Sequence, residues 1–357
     1  MGATTAKIKT SSLINNYSLL INNYAKDKNI IAIVKANAYG HGAIEISKFL
    51  ERKEVSYLGV ANLDEALELK NNKIRKKILI LGSIDDDEII KAIKLNIMFT
   101  VYDYDQISFL ASLDLKKIKF HLKVDTGMNR LGISIDEVDK AIKKISNNRN
   151  LIIEGIYTHL AEADKKNSSF TKKQIKCFES VVKSFKEKGF NIKYIHASNS
   201  SGILNYDSQI FNTVRPGLFL YGLSSERKLK PAMTLESKII KIRVLKKGDS
   251  VSYGRTFVSK KKMVIGVIPI GYADGLPRAL SNKGYVYCKG KKCKILGRVC
   301  MDLTMIDITN IKNIRVGQKI VIFDDNLQSA SMLASTINTI PYDIVCGISK
   351  RVMRSYT

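Results

Sequence analysis

Lys35 ends the apolar run Ile30-Ile31-Ala32-Ile33-Val34 and is followed by Ala36-Asn37-Ala38-Tyr39-Gly40-His41-Gly42. The run is short, β-branched and uninterrupted, so it reads as a buried parallel strand with a lysine emerging from its carboxyl end into a glycine-rich turn. A strand-end lysine that merely reaches solvent has the same local sequence. Desolvated, however, such an amine has a lowered pKa and becomes a nucleophile for carbonyls, which is Schiff-base chemistry. A second stretch, Lys123-Val124-Asp125-Thr126-Gly127-Met128-Asn129-Arg130, sets a lysine and an arginine on another strand and turn. Thr158-His159, His196-Ala197-Ser198-Asn199-Ser200 and Val214-Arg215-Pro216-Gly217-Leu218 put imidazole, hydroxyl and guanidinium groups at further strand ends. Lysine far outnumbers arginine, yet Arg130, Arg215, Arg255, Arg278, Arg298 and Arg351 all fall within motif-like stretches. A planar, bidentate fork that keeps its proton is needed at such places.

These groups can meet only if strands present them on one face. Short β-branched runs occur at 30–34, 57–60, 78–81, 97–101, 119–124, 152–158, 194–197 and 213–215. Amphipathic, helix-like segments such as 43–50, 64–70, 85–95, 136–145 and 170–188 lie between them, several opening on an Asp or Thr N-cap. This alternation predicts an α/β fold, a (β/α)8 TIM barrel, whose chemistry belongs at the carboxyl ends of the strands. From about Pro231 the texture changes to period-two alternation, as in 238–244, 264–270, 285–288 and 320–323, with a helix near 329–337. The expectation is a barrel over residues 8–230 followed by a mainly antiparallel β domain over 231–357, which could also take in the N-terminal strand.

The 357 residues and 45% hydrophobic content can fill two such cores. No apolar stretch approaches a bilayer span, the N-terminus lacks an apolar leader core, and the sixth residue is Ala where N-myristoylation requires Ser or Thr after Gly2. A cytoplasmic protein without membrane partners is expected. The five cysteines, Cys177, Cys288, Cys293, Cys300 and Cys346, form no C-x-x-C pair, and the four histidines form no ligand pattern, so no metal site is expected. The formal charge of +26 raises the question of nucleic acid. Its lysines are dispersed along helical faces such as 70–77 and 165–193, which argues against that partner.

The block Lys35-Ala36-Asn37-Ala38-Tyr39-Gly40-His41-Gly42 resembles the pyridoxal 5'-phosphate lysine motif of the alanine racemases, and further blocks in the same order extend the resemblance to Arg351. The resemblance implies that Lys35 carries the cofactor and that Arg130 meets the substrate carboxylate. It implies a carbamylated Lys123 that orients Arg130, a His196 that positions Arg215, and an Arg215 facing the pyridine nitrogen. Because guanidinium does not donate its proton, the ring is then a weak electron sink, which disfavours transamination and suits racemisation. Tyr39, His159, Asn199, Ser200, Gly217 and Leu218 fall at cofactor-binding positions of the family, with Ser200 and local backbone on the phosphate. Val251-Ser252-Tyr253-Gly254-Arg255 matches the block of the second base, so Tyr253 is expected to enter the site from the other subunit of a head-to-tail homodimer and to bond with His159. Gly271-Tyr272-Ala273-Asp274-Gly275 and Gly297-Arg298-Val299-Cys300-Met301-Asp302 match the remaining blocks. They imply an entrance narrowed by Tyr272 and lined by Arg278 and Arg298, and a substrate-binding backbone at Met301.

Three positions depart from the pattern. Lys350 stands where some members have a phosphate-binding tyrosine and is expected to serve as a point charge there; Met353 replaces a common Pro, and Asn129 a common Gly. The implied activity is two-base interconversion of L-alanine and D-alanine by Lys35 and Tyr253, supplying D-alanine for peptidoglycan. A racemase of another small amino acid such as serine is a near alternative. A basic amino-acid decarboxylase shares the architecture but pairs the ring nitrogen with Glu, and a non-catalytic pyridoxal phosphate carrier lacks the β domain.

Overall fold

The computed structural model describes residues 3–357; Met1 and Gly2, where the lipidation pattern was sought, lie outside the described residues. The first strand, β1 (Thr5–Ile8), is followed by the helix Thr10–Asn23. Eight parallel strands then form one sheet: β2 (Asn29–Ile33), β3 (Tyr57–Val60), β4 (Ile78–Ile80), β5 (Thr100–Val101), β6 (Ile118–Lys123), β7 (Leu151–Tyr157), β8 (Tyr194–His196) and β9 (Thr213–Val214). Their order is β4-β3-β2-β9-β8-β7-β6-β5. The two ends meet through a parallel bridge between Leu79 and Met98 and the 2.9 Å bond from Ile80 N–H to the Met98 carbonyl, closing the barrel.

All of the expected barrel runs are strands, with ends that move by a residue or so. The fifth is the exception, since regular pairing is confined to Thr100–Val101. Asn96, with φ of 52°, turns the chain just before it, and only Met98 then bridges to β4. The helix Leu63–Asn71 opens on Asn62, whose side chain accepts from Glu65 N–H, and Asp86–Lys94 opens on a capping box of Asp85 and Glu88. The N-terminal helix Thr10–Asn23 packs beside the short helix Leu218–Tyr221 that follows β9; buried Asn16 donates to the carbonyls of Leu220 (3.0 Å) and Lys230 (2.8 Å).

The rest of the chain supplies β10 (Met233–Lys238), β11 (Lys241–Leu245), β12 (Ser250–Val251), β13 (Phe257–Val258), β14 (Met263–Ile268), β15 (Tyr285–Cys288), β16 (Lys291–Leu296), β17 (Thr304–Asp307), β18 (Lys319–Phe323) and β19 (Met353–Tyr356). Nine strands, in the order β11-β14-β17-β16-β15-β18-β10-β1-β19, make a largely antiparallel sheet. β1 belongs to it, pairing antiparallel with β10 and parallel with β19. The described residues therefore run from the second sheet through the barrel and back to the second sheet. One apolar core joins the two, because the buried faces of β1 and β10 (Ala6, Ile8, Met233, Leu235) belong to the same cluster as the outward, helix-covered faces of the barrel strands (Ile30, Ala32, Val34), while Ile31, Ile33, Tyr57, Leu79 and Tyr194 form a separate cluster inside the barrel.

Candidate active site

The peptide after Lys35 is the most strained part of the barrel mouth. Ala36, Asn37, Ala38 and Tyr39 have φ of 52°, 54°, 53° and 52°, so a left-handed turn built of non-glycine residues replaces the expected glycine-rich one. Each such residue costs about 1–2 kcal/mol, so the turn needs outside support. Glu65 provides it: one carboxylate oxygen accepts from Ala36 N–H and the other from Ala61 N–H, both at 2.7 Å. Asn37 Oδ1 accepts from Ala43 N–H at 2.8 Å, and the last strand clasps the far side, with Arg354 Nε donating to the Gly40 carbonyl (3.1 Å) and Tyr356 to that of His41 (3.0 Å). Gly40, at φ of 79°, leaves no room for a side chain, since a Cβ would lie 1.9 Å from the Val345 carbonyl oxygen.

Lys35 opens onto a cavity of about 270 Å³ at the carboxyl ends of the barrel strands. Lys123, Arg130 and Arg215 also line it, together with His159 and Tyr157, and its lining contains no carboxylate. Four basic side chains without an acid make a receptor for anions. Enclosure lowers the Lys35 pKa first, Arg130 and Arg215 lower it further, and Glu65 opposes them. Lys123 is 4% exposed and is pushed down to about 8, chiefly by burial and then by the two arginines.

Arg215 is held from all sides. Nη1 bonds Nδ1 of His196 at 2.7 Å, and Nη2 donates to the carbonyls of Thr158 (2.9 Å) and Ala197 (2.8 Å) and approaches Nδ1 of His159 at 3.4 Å. Its guanidinium lies over the Tyr157 ring, 5.1 Å from the centroid. Burial lowers its pKa to about 10, which leaves it charged at neutral pH. His159 falls to about 2, through burial and then Arg215, and stays neutral. Arg130 follows Asn129, whose φ of 54° is one that asparagine tolerates, so the residue standing in place of Gly keeps the turn.

The opposite wall has the character of a phosphate cradle. Ser200 Oγ accepts from the N–H groups of Gly217 (3.0 Å) and Phe219 (3.1 Å), and Asn199 Oδ1 caps the helix Ser200–Asn205 through Gly202 N–H (2.9 Å). Leu218 lines the cavity here, and a Cβ on Gly217 would lie 2.7 Å from Tyr39 Oη. The cavity thus offers an amine, backbone close enough for glycine alone and a surplus of cations, which fits a carbonyl-bearing, phosphorylated cofactor.

Lys350 is placed elsewhere. Its ammonium is 3.9 Å from Glu68 and its side chain is 84% exposed, in a shallow depression outside the cavity. The helix Pro341–Cys346, packed on Gly40, instead sends Tyr342 into the cavity beside Tyr39, with ring centroids 6.3 Å apart. The expected point charge is therefore not at the cavity, and the residue of this segment that lines it is Tyr342, eight positions earlier. The sequence around Tyr342 carries no motif that marks it, and Tyr157 and Glu65 were equally silent, since each reads as an ordinary strand or helix residue.

Tyr253, Tyr272, Met301, Arg278 and Arg298 do not line the cavity of their own chain. They gather on turns and loops of the β domain. Tyr272 N–H donates to the Cys300 carbonyl and Ala273 N–H to that of Met301, each at 3.0 Å, while Ser252 Oγ donates to the Arg298 carbonyl at 2.6 Å. Ser281, which caps Arg278–Leu280, accepts from Val299 N–H at 3.0 Å. Arg351 binds Asp302 at 2.7 Å and so ties the C-terminal segment to the Met301 loop. Tyr253 is 70%, Tyr272 44% and Met301 52% exposed.

Comparison with known proteins agrees with both halves of the chain. Residues 8–225 match the alanine racemase N-terminal domain and residues 232–356 the alanine racemase C-terminal domain. The chain is similar to alanine racemase 2 of Caldanaerobacter subterraneus subsp. tengcongensis, at 37% identity over 99% of this chain and 94% of the relative. It is also similar to alanine racemase of Thermodesulfovibrio yellowstonii, at 40% over 98% and 97%. Among solved structures, alanine racemase of Clostridium difficile 630 superposes with a TM-score of 0.93 at 34% identity, covering 100% of this chain and 96% of that one. A Bartonella henselae alanine racemase with covalently bound pyridoxal phosphate superposes with a TM-score of 0.92 at 29% identity, covering 100% of both chains. With both domains matched end to end and the cavity lysine at the head of the barrel, the chain belongs to the alanine racemase family.

Proposed function

We propose that the protein interconverts L-alanine and D-alanine, with Lys35 and Tyr253 acting from opposite faces of the substrate, to supply D-alanine for peptidoglycan in the cytoplasm. Pyridoxal 5'-phosphate, held at Lys35, supplies the electron sink that makes an α-proton removable. The observation that carries the reading is the acid-free cavity in which Lys35, Arg130 and Arg215 converge. Lys35, its pKa lowered, takes or returns the proton on one face. Arg130 binds the substrate carboxylate. Arg215 meets the ring nitrogen as a fully charged donor. Ser200, the backbone at Gly217 and Leu218, Tyr39 and Tyr342 hold the phosphate, with Asn199 shaping the helix that carries Ser200.

Tyr253, the second base, does not line the cavity of its own chain. The exposed cluster of Tyr253, Tyr272 and Met301 on the turns and loops of the β domain is an apolar surface of the kind that a partner covers. A head-to-tail homodimer brings that cluster over the barrel mouth of the neighbour, setting Tyr253 near His159, Tyr272 and Met301 over the substrate, and Arg278 and Arg298 at the entrance. The working division is a barrel of residues 8–230 and a β domain of 231–357 that includes β1.

Lys123 completes the electrostatics. With its pKa near 8, part of the amine is neutral at neutral pH and can attack carbon dioxide. An N–C bond forms, the amine proton leaves to solvent, and the resulting carbamate anion offsets Arg130 and Arg215. Carbon-13 NMR with labelled bicarbonate is expected to show a protein carbamate that Lys123→Ala lacks.

The test of the activity is incubation of the holoenzyme with L-alanine, D-alanine or L-serine in heavy water. Alanine is expected to approach equal enantiomers with deuterium at Cα, and faster than serine. Deuterium without inversion would show one working base and count against Tyr253 or the dimer; no exchange at all would sink the racemase reading.

A further inference from the structure

Behind the cavity wall, three side chains stand in series inside the barrel. Arg215 is a donor only, so Nδ1 of His196, 2.7 Å from its Nη1, must be an unprotonated acceptor. The proton of neutral His196 is then on Nε2, which faces Nδ1 of His121 at 3.0 Å. His121 Nδ1 must accept in turn, and its own proton is left on Nε2. That nitrogen is buried without a hydrogen-bond partner, in a residue of 0% exposure. The reverse proton order would point His196 Nδ1–H at a guanidinium, so the series has one consistent direction.

A stranded buried donor is costly, and the fold makes two further concessions at the same place. The pairing of β6 with β7 shifts register between Phe120 and His121: Glu154 is the extra, unpaired residue on β7, and the shift sets Gly155 instead of Glu154 opposite His121. Mid-strand Gly155 lies opposite: any Cβ there would sit 2.4 Å from His121 Nδ1. Glycine weakens a strand interior and marks a close approach. The rings of Tyr57 and Tyr194 flank His121, and Tyr157 stacks on His196 at 4.6 Å and 8°. Burial, with Arg215 adding to it, pushes His121 down to about 3 and His196 well below its usual value, so both rings stay neutral.

We propose that His121 is a positioning residue for Arg215: as terminal acceptor of the series it locks His196 into the tautomer whose Nδ1 takes the arginine's hydrogen bond, and so fixes the guanidinium in the cavity. The inference rests on the reading of Arg215 as the group at the cofactor ring, and it assigns His121 a part that packing alone would not require.

The test compares His121→Asn, whose side-chain oxygen can accept near the Nδ1 position, with His121→Leu, which fills the space without an acceptor. Nitrogen-15 imidazole NMR is read on the free and cofactor-loaded protein, alongside kcat, KM and the cofactor absorption band. Wild type and His121→Asn are expected to show His196 protonated on Nε2. His121→Leu is expected to shift His196 toward the other tautomer, move the absorption band, and lower kcat on the order of tenfold to a hundredfold with KM little changed, while His121→Asn loses less. A wild-type His196 protonated on Nδ1 would overturn the proposal without any variant, which covers the case of a Leu variant that does not fold. Equal spectra and rates for the two variants would overturn it as well. A tautomer shift confined to His121→Leu, with kcat and absorption unmoved, would uphold the link from His121 to His196 and sink the placement of Arg215 at the ring.

Discussion

At the level of single residues, the proposed site works through contrasts in protonation. Arg215 remains a cation at about pKa 10, His159 and His196 are held neutral beside it, and Lys35 and Lys123 are amines shifted toward their neutral forms. Lys35→Ala is expected to abolish turnover and covalent retention of the cofactor, read by gel filtration followed by absorbance; normal turnover in that variant would remove Lys35 from its role. Tyr253→Phe keeps the ring and removes only the hydroxyl, so it is expected to cost on the order of a hundredfold or more. Deuterium exchange from one enantiomer is expected to suffer more than from the other, and equal, small losses for both would exclude Tyr253 as a base. The types of these residues were legible in the sequence because their chemistry is local to the side chain. Tyr342 was not, because its place in the cavity comes from how the helix Pro341–Cys346 packs on Gly40.

At the level of elements, the left-handed turn of Ala36 to Tyr39 is the piece most dependent on its neighbours. Asn62 and Glu65 have the spacing of a capping box, in which Glu65 ordinarily reaches back to the N-cap N–H. Here the carboxylate bridges Ala36 and Ala61 instead, joining the lysine turn to the end of β3. Glu65→Gln keeps the shape but turns an amide NH₂ toward one of two N–H donors. The expected loss is about 1–3 kcal/mol, measured by urea unfolding, with faster hydrogen exchange at Ala36. An unchanged unfolding midpoint would show that the turn is held without Glu65. The barrel strands could be read in advance because unbroken β-branched runs have few other uses. The handedness of the turn could not, since Ala, Asn and Tyr reach φ near 50° only where surrounding structure compels them.

At the level of the whole molecule, two properties follow from how the parts are assembled. If each site takes Lys35 from one chain and Tyr253 from another, inactive Lys35→Ala and Tyr253→Phe proteins are expected to complement each other. After subunit exchange at equal ratio, mixed dimers hold one intact site each, and activity should return to about a quarter of wild type. No recovery, with exchange verified by mass labelling, would place both bases in one chain. The second property is acid sensitivity. All four histidines are held below their usual value, His41 at about 4 and His121 at about 3, chiefly by burial. The unfolded chain therefore binds more protons than the native one below about pH 6.5, so stability is full above that pH and falls as the pH drops toward each native value. The slope is about 1.4 kcal/mol per pH unit for each histidine. Urea midpoints at pH 7, 6 and 5 are expected to decline steeply, and a flat profile would show native histidines that titrate normally.

The sequence by itself determined the runs that become the barrel strands, the order of the two architectures, and the residue types that meet at the barrel mouth, because periodicity and side-chain chemistry are local. Only the tertiary structure decided that β1 joins the second sheet, that Tyr342 and not Lys350 reaches the cavity, and that Glu65 holds the lysine turn. It alone separated Tyr253 from the cavity of its own chain and joined Arg215, His196 and His121 in one hydrogen-bonded series. Those outcomes depend on contacts between residues far apart in the chain, where register, closure and packing, and no short-range pattern, set which atoms meet.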